Sequence, residues 1–185
     1  MCRIPHRIMI SNVREDKGFG ARPKDCVLKN ACKKAGAVAG RLKKGIVIGA
    51  DTIVFLDGRI IGKLKKKEAV KRTLRRLSEK VSYVYTGLAI IDVGSGRCLK
   101  DYVKTKIKMK RIGEQDLNLW LKFIGPFDRA GGFSIEGPGS ILFPRIEGCY
   151  FNILGLPMSK LCDMFERLGF NLLYFMKGGD NYGKS

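Results

Sequence analysis

Ile46-Val-Ile-Gly-Ala-Asp-Thr-Ile-Val-Phe55 is the stretch on which the reading of this chain turns. It is apolar on both faces, rich in β-branched residues, and runs into the turn pair Asp57-Gly58, which are the marks of a buried strand. Period two sets Val47, Asp51, Ile53 and Phe55 on one face. An ionised carboxylate inside such a strand is costly unless a cation or a metal meets it. Asp51 is therefore either a structural acid held in a pair or a catalytic one.

Downstream of this strand, Leu56-Asp-Gly-Arg59 reads as a tight hairpin and Arg59–Ile61 as a short return strand. Gly62-Lys63 follows at once, so that Lys63 can serve a salt bridge or a phosphate. Upstream, Pro23 opens a helix, since proline is tolerated in a first turn. Val27, Leu28, Ala31, Cys32, Ala35, Val38 and Ala39 recur at helical spacing, and Gly40 ends it. Lys34 falls in line with Val27, Ala31 and Val38 at the border of the apolar stripe, where a lysine snorkels outward or reaches a phosphate. Ahead of the helix, Arg7–Ser11 is expected as a short strand, leading to a loop with Glu15 and Asp16. Gly18-Phe-Gly20 lacks a full phosphate-loop pattern and reads as a flexible turn.

Beyond the hairpin the spacing predicts an amphipathic helix over Lys66–Leu77 and a long strand over Val81–Val93. Gly94-Ser-Gly96 turns the chain back into a strand reaching about Lys110. In that strand Val103, Thr105, Ile107 and Met109 alternate with Lys104, Lys106, Lys108 and Lys110, giving one buried and one lysine-coated face. A helix over Glu114–Phe123 follows, then a glycine- and proline-rich stretch that brackets Phe133-Ser-Ile-Glu136. Strands are expected at Ile141–Phe143 and Tyr150–Leu154, and a last helix at Ser159–Leu168, closed by Gly169. Helices alternating with strands, some joined as hairpins, argue an α/β domain with a mixed sheet. Residues 1–176 read as one domain, and 177–185 as a disordered polar tail.

Composition narrows the function classes. One histidine (His6) and six scattered cysteines, with no C-x-x-C, argue against a zinc site. Neither a membrane-spanning run nor a signal-peptide pattern is seen, so a cytoplasmic protein with reduced thiols is expected. The net charge of +19 favours anionic partners, namely nucleic acid, phosphorylated small molecules or acidic surfaces, without choosing among them. The basic residues of Lys66–Leu77 are read first as a solvated surface, because no aromatics are interleaved with them.

Several stretches together resemble the Maf-like nucleoside triphosphate pyrophosphatases, which share a fold with the inosine triphosphate pyrophosphatases. They are Val13-Arg-Glu15, Lys34-Ala35, Gly49-Ala-Asp-Thr52, Gly62-Lys63, Thr86-Gly87, Arg129-Ala-Gly131, Ile135-Glu-Gly137 and Tyr150-Phe-Asn-Ile-Leu-Gly-Leu-Pro157. Each is weak alone, but in this order they are specific, and they cover most of the chain from Ile4 to Gly169. The resemblance implies a mixed β-sheet flanked by helices, two-lobed with a cleft. It also implies cleavage of a nucleoside triphosphate to the monophosphate and pyrophosphate, in house-cleaning of nucleotides or in control of cell division. Asp51 would be the base, Lys34 and Lys63 phosphate ligands, Glu15 a ligand for Mg²⁺ or Mn²⁺, and Thr52 and Glu136 determinants of base choice. The family also suggests a homodimer.

The expected chemistry suits these residue types. Water attacks the α-phosphorus in line, a carboxylate orients or deprotonates it, and cations neutralise the leaving pyrophosphate. Two departures from the family pattern stand out. The family opens with a strand and a Ser-x-Arg-Arg loop ahead of the segment matched by Ile4-Pro5-His6, so a missing first strand is expected. Glu136 stands where the family often has Gln. A carboxylate only accepts hydrogen bonds, which favours a base edge with donors such as guanine's, whereas Thr52 resembles the subgroup that takes dTTP and UTP. The base is left open. The competing reading is a catalytically impaired, basic nucleotide- or nucleic-acid-binding protein on the same scaffold.

Overall fold

The first long strand, β1 (Ile46–Leu56), is the second strand of a five-stranded sheet in this computed structural model, which describes residues 4–18, 20, 22–124 and 127–176. Ahead of it lies α1 (Pro23–Ala39), and after it come β2 (Arg59–Ile61), α2 (Lys67–Leu77), β3 (Val81–Asp92) and β4 (Cys98–Lys108). A single 3-10 turn, Glu114–Asp116, leads into α3 (Leu117–Phe123). A second 3-10 segment, Gly137–Leu142, precedes β5 (Arg145–Glu147), α4 (Tyr150–Ile153), α5 (Met158–Arg167) and α6 (Leu172–Met176). The sheet order is β2-β1-β3-β4-β5.

The class is α/β, as expected, but every pairing among the described strands is antiparallel rather than mixed. The turns account for part of this. Asp57-Gly58, both at positive φ, closes the β1–β2 hairpin, and the turn through Gly96 closes β3 onto β4. β1 pairs with β3 from Ile46↔Asp92 to Phe55↔Tyr83, whereas β2 reaches only Val54–Leu56. The other edge of β1 before Val54 has no strand partner among the described residues.

Alternate residues send the sheet into two layers. Val54, Leu56, Val84 and Ile107 pack against Val70, Leu74 and Leu77 of α2 and Leu121 of α3. On the same face, Leu88 and Ile90 meet Leu161, Met164 and Phe165 of α5. The opposite face receives α1, whose Ala31, Ala35 and Val38 pack on Val47 and Ala89. Two glycines let this helix lie close. A Cβ on Gly49 would stand 2.4 Å from the Ala31 carbonyl oxygen, and one on Gly87 would stand 2.5 Å from the Val27 carbonyl oxygen.

Three expected strands are corrected. Residues 7–11 form no ladder: Ile8 and Ile10 are exposed, and the Ile10 carbonyl accepts from the Arg41 guanidinium instead. Residues 141–143 end a 3-10 segment and its cap, the Phe143 N–H donating to the Ser140 carbonyl, and a Cβ on Gly139 would run into the Ser134 carbonyl. Tyr150–Ile153 is helical because Asn152 turns inward, donating to the Val84 carbonyl and to Thr105 Oγ1. Tertiary hydrogen bonds override the local β-propensity there. Gly18 is no loose hinge: it is buried at φ 68°, and a Cβ there would meet Ile60 at 2.6 Å. The tail 177–185 lies outside the described residues. No helix among the described residues is long and apolar enough to cross a membrane.

Candidate active site

Asp51 is 6% exposed, and its two carboxylate oxygens are separately held. Lys34 Nζ lies 2.7 Å from Oδ1, and Asn30 Nδ2 donates to Oδ2 at 3.0 Å. Both partners come from α1, one helical turn apart, and they reach the strand because Gly49 lets α1 settle on it. Lys34 also donates to the Ala50 carbonyl at 3.2 Å and meets Glu15 Oε1 at 2.7 Å. One ammonium thus gathers a buried acid, a half-exposed acid and a backbone carbonyl. Asn30 ties the same cluster to the preceding loop: its Oδ1 accepts from the Asp16 N–H and its Nδ2 donates to the Asp16 carbonyl.

The electrostatics follow from burial. Desolvation pushes the Asp51 carboxyl above the ordinary carboxylate range, against the opposing pull of Lys34 and Asn30. Burial alone would lower Lys34, yet its hydrogen bonds to Asp51 and Glu15 outweigh it and hold the ammonium above the ordinary lysine value. Lys34 is therefore charged throughout the neutral range, beside a carboxylate that burial makes more basic than usual.

These groups form one wall of a cleft of about 1490 Å³. Glu15, Lys34, Asp51, Thr52, Lys63 and Glu136 all line it, so the structure brings together every residue singled out in the sequence. They do not all touch. Lys63 makes no ion pair with Asp51; it stands 3.9 Å from Asp128, and both are well exposed. An isolated antiparallel β-bridge between Lys63 and Ala130 fixes its backbone beside Arg129. Glu136 is engaged by Arg129 at 3.3 Å, while Ser134 Oγ accepts from Arg129 and from the Glu136 N–H.

Thr52 occupies the far side of β1 from Asp51. Thr86 Oγ1 donates its only proton to the Asn152 carbonyl at 2.9 Å, so the 2.8 Å contact between Thr52 and Thr86 uses the proton of Thr52. The oxygen of Thr52 is left with accepting capacity alone.

Sequence reading missed Asn30, Thr86 and Asp128 as members of the site. Asn30 carried a signal: a polar residue on the apolar stripe of α1, one turn before Lys34. Asp128 carried none, because only the fold brings it to Lys63. No group of three or more His, Cys, Asp or Glu side chains suited to a metal occurs among the described residues. Glu15, half-exposed beside Lys34, offers a hard oxygen donor, whereas both Asp51 oxygens are taken by Lys34 and Asn30. That single donor fits a Mg²⁺-like ion completed by phosphates and water, and does not fit an all-protein cage.

Comparison with known proteins places the chain among related sequences. The family model described as Maf-like protein matches residues 1–168. A protein of Dictyoglomus turgidum named dTTP/UTP pyrophosphatase is 37% identical over 171 residues, covering 92% of this chain and 89% of its own. One of the same name from Clostridioides difficile is 40% identical over 156 residues, 84% of this chain and 80% of its own. A third, from Methanococcoides burtonii, is 36% identical over 165 residues, 89% and 85% respectively. With a match along this length and carboxylate, lysine and glycine motifs converging on one cleft, the chain belongs to the Maf-like protein family.

Proposed function

We propose that the chain hydrolyses a nucleoside triphosphate at the α-phosphorus, giving the nucleoside monophosphate and pyrophosphate. The observation that carries this reading is Asp51: a buried carboxylate of raised basicity, fixed between Asn30 and Lys34, on the wall of a cleft that also bears Lys63 and Arg129. Asp51 takes the proton of the attacking water. Lys34 and Lys63 meet the phosphate oxygens. The loose, exposed pairing of Lys63 with Asp128 at 3.9 Å leaves its ammonium free to turn toward a triphosphate. A divalent cation held by Glu15 and the triphosphate would supply neutralisation of the leaving pyrophosphate.

Base choice follows from the hydroxyl chain. An acceptor-only Thr52 suits the N3–H of uracil or thymine and is mismatched to N3 of cytosine, which is itself an acceptor. Glu136, which alone would repel the pyrimidine carbonyls, is engaged by Arg129. The Arg129 guanidinium has further donors for a carbonyl. The reading is therefore a dTTP- or UTP-directed pyrophosphatase, in line with the names of the relatives.

The test is pyrophosphate release from UTP and dTTP with Mg²⁺, in the full chain and in Asp51→Asn. Release that Asp51→Asn abolishes supports the assignment. A rate that survives the substitution unchanged makes Asp51 a structural acid and overturns it.

A further inference from the structure

Among the described residues, the face of the sheet that α1 occupies is only half covered. The helix begins at Pro23 and lies over Gly87, Ala89 and Gly49; beyond Gly87, toward the Val81 end, the same face carries rings and ammonium groups. Cross-strand register sets them side by side: Phe55 opposite Tyr83, Tyr85 opposite Lys104, Tyr83 opposite Lys106, and Tyr102 opposite Gly87. Tyr85 and Tyr102 are near-parallel, with centroids 6.3 Å apart and planes inclined by 14°. Phe55 meets Tyr85 edge-on.

Each tyrosine ring has a lysine within reach. Lys104 Nζ lies 4.1 Å from the Tyr83 centroid and 5.8 Å from that of Tyr85. Lys24, at the start of α1, lies 5.0 Å from Tyr102. Lys108 and Arg145 extend the positive border, and Glu147, paired to Lys106 and Arg145, is the acid on this face of β5. The rings are half-buried beneath flexible exposed lysines.

We infer that this uncovered half-face, built on Tyr83, Tyr85, Tyr102, Lys24 and Lys104, binds single-stranded nucleic acid. Base faces stack on the tyrosine rings, and the ammonium groups leave those rings for the phosphates. The chemistry favours a strand over a protein partner: the surface is aromatic and strongly basic, and its cations alternate with its rings. A single strand is favoured over a duplex because tyrosine rings on a surface can stack only on bases that are not already stacked inside a helix. The proposal does not depend on the triphosphate reading, since Asp51 and Lys34 take no part in it.

The experiment is fluorescence anisotropy of an end-labelled oligouridine of about twelve nucleotides, a length within the usual footprint of such surfaces. It is run on the full chain across a salt series, with a duplex of the same length and with excess UTP. The strand is expected to bind more tightly than the duplex, and UTP is expected to leave it bound. Tyr85→Ala and Tyr102→Ala should each weaken binding about tenfold. Tyr85→Phe should retain it, because the ring and not the hydroxyl is used. Lys104→Gln, at an exposed position, should flatten the salt slope by about 0.7. Equal affinity for duplex and strand, tyrosine variants that bind as well as the parent, or displacement by UTP would each overturn the proposal.

Discussion

The carbonyl oxygen of Ala31 lies where a side chain on Gly49 would have to go, 2.4 Å from the position of its Cβ. This contact sets how far α1 stands from β1, and thereby whether Lys34 and Asn30 reach Asp51. Gly49→Ala would meet backbone on both sides, since Ala35 N is 2.8 Å away. Overpacking of this kind costs about 1–3 kcal/mol. The expected result is a lower denaturant midpoint together with a loss of turnover larger than the stability change explains, measured on protein kept well within its folded range.

The pH dependence follows from Asp51. Its carboxyl is raised by burial, and it works as a base only when ionised. The acid limb of kcat/KM is therefore expected above the ordinary carboxylate value of about 3.9. Stability carries the opposite sign to that of a salt-bridged acid. The folded state holds the Asp51 proton more tightly than the unfolded chain, so this group's contribution falls as pH rises from the unfolded value through the raised folded one. Turnover measured across pH 4–9 checks the first statement, and urea midpoints over the same range check the second.

Lys34→Met removes the ammonium that both carboxylates share. Asp51 then stays buried with Asn30 alone, and its proton is held still more tightly. A loss of about 2 kcal/mol is expected at pH 7, below the full cost of breaking a buried pair because the Lys34 side chain is 21% exposed. The deficit should shrink as pH falls and Asp51 takes up its proton. Urea melts of the variant at pH 7 and pH 5 test this, and an equal deficit at both would show that the ion pair is not the cause.

Base discrimination is expected to run through the hydroxyl chain. Thr86→Val frees the proton of Thr52 to turn into the cleft, where it can meet the N3 acceptor of cytosine. The ratio of kcat/KM for UTP over CTP should drop about tenfold, a change of ~1.4 kcal/mol in relative transition-state binding. Competition assays with both nucleotides in one vessel measure that ratio directly.

Lys63→Met should act on the phosphates and spare the fold, since Lys63 is more than half exposed and its pairing with Asp128 is loose. An increase in KM of about tenfold with an unchanged melting profile is expected. Asp128→Asn, which releases Lys63, should leave KM the same or lower it.

Much of this was legible in the sequence where a local pattern had a single physical reading. β-branching and the Asp57-Gly58 turn announced β1 and its hairpin, and helical spacing placed Lys34 beside the apolar stripe of α1. What escaped was decided by distant partners. Tyr150–Ile153 looks like strand until Asn152 finds the Val84 carbonyl 68 positions away. The Glu136 carboxylate looked hostile to a pyrimidine until Arg129 was found against it. The antiparallel sheet likewise depends on which strands become neighbours, and no single stretch encodes that.

The border of β1 that has no strand partner among the described residues carries a cost that the site itself helps to contain. A row of bare peptide groups on a sheet margin is a template on which a second chain could lay a strand of its own. Lys34 occupies the Ala50 carbonyl on that strand and brings a charge to it. The ammonium that steadies the acid thus also acts as a guard against self-association, and replacing it by an apolar residue should make the protein clump more readily during refolding as well as impairing its chemistry.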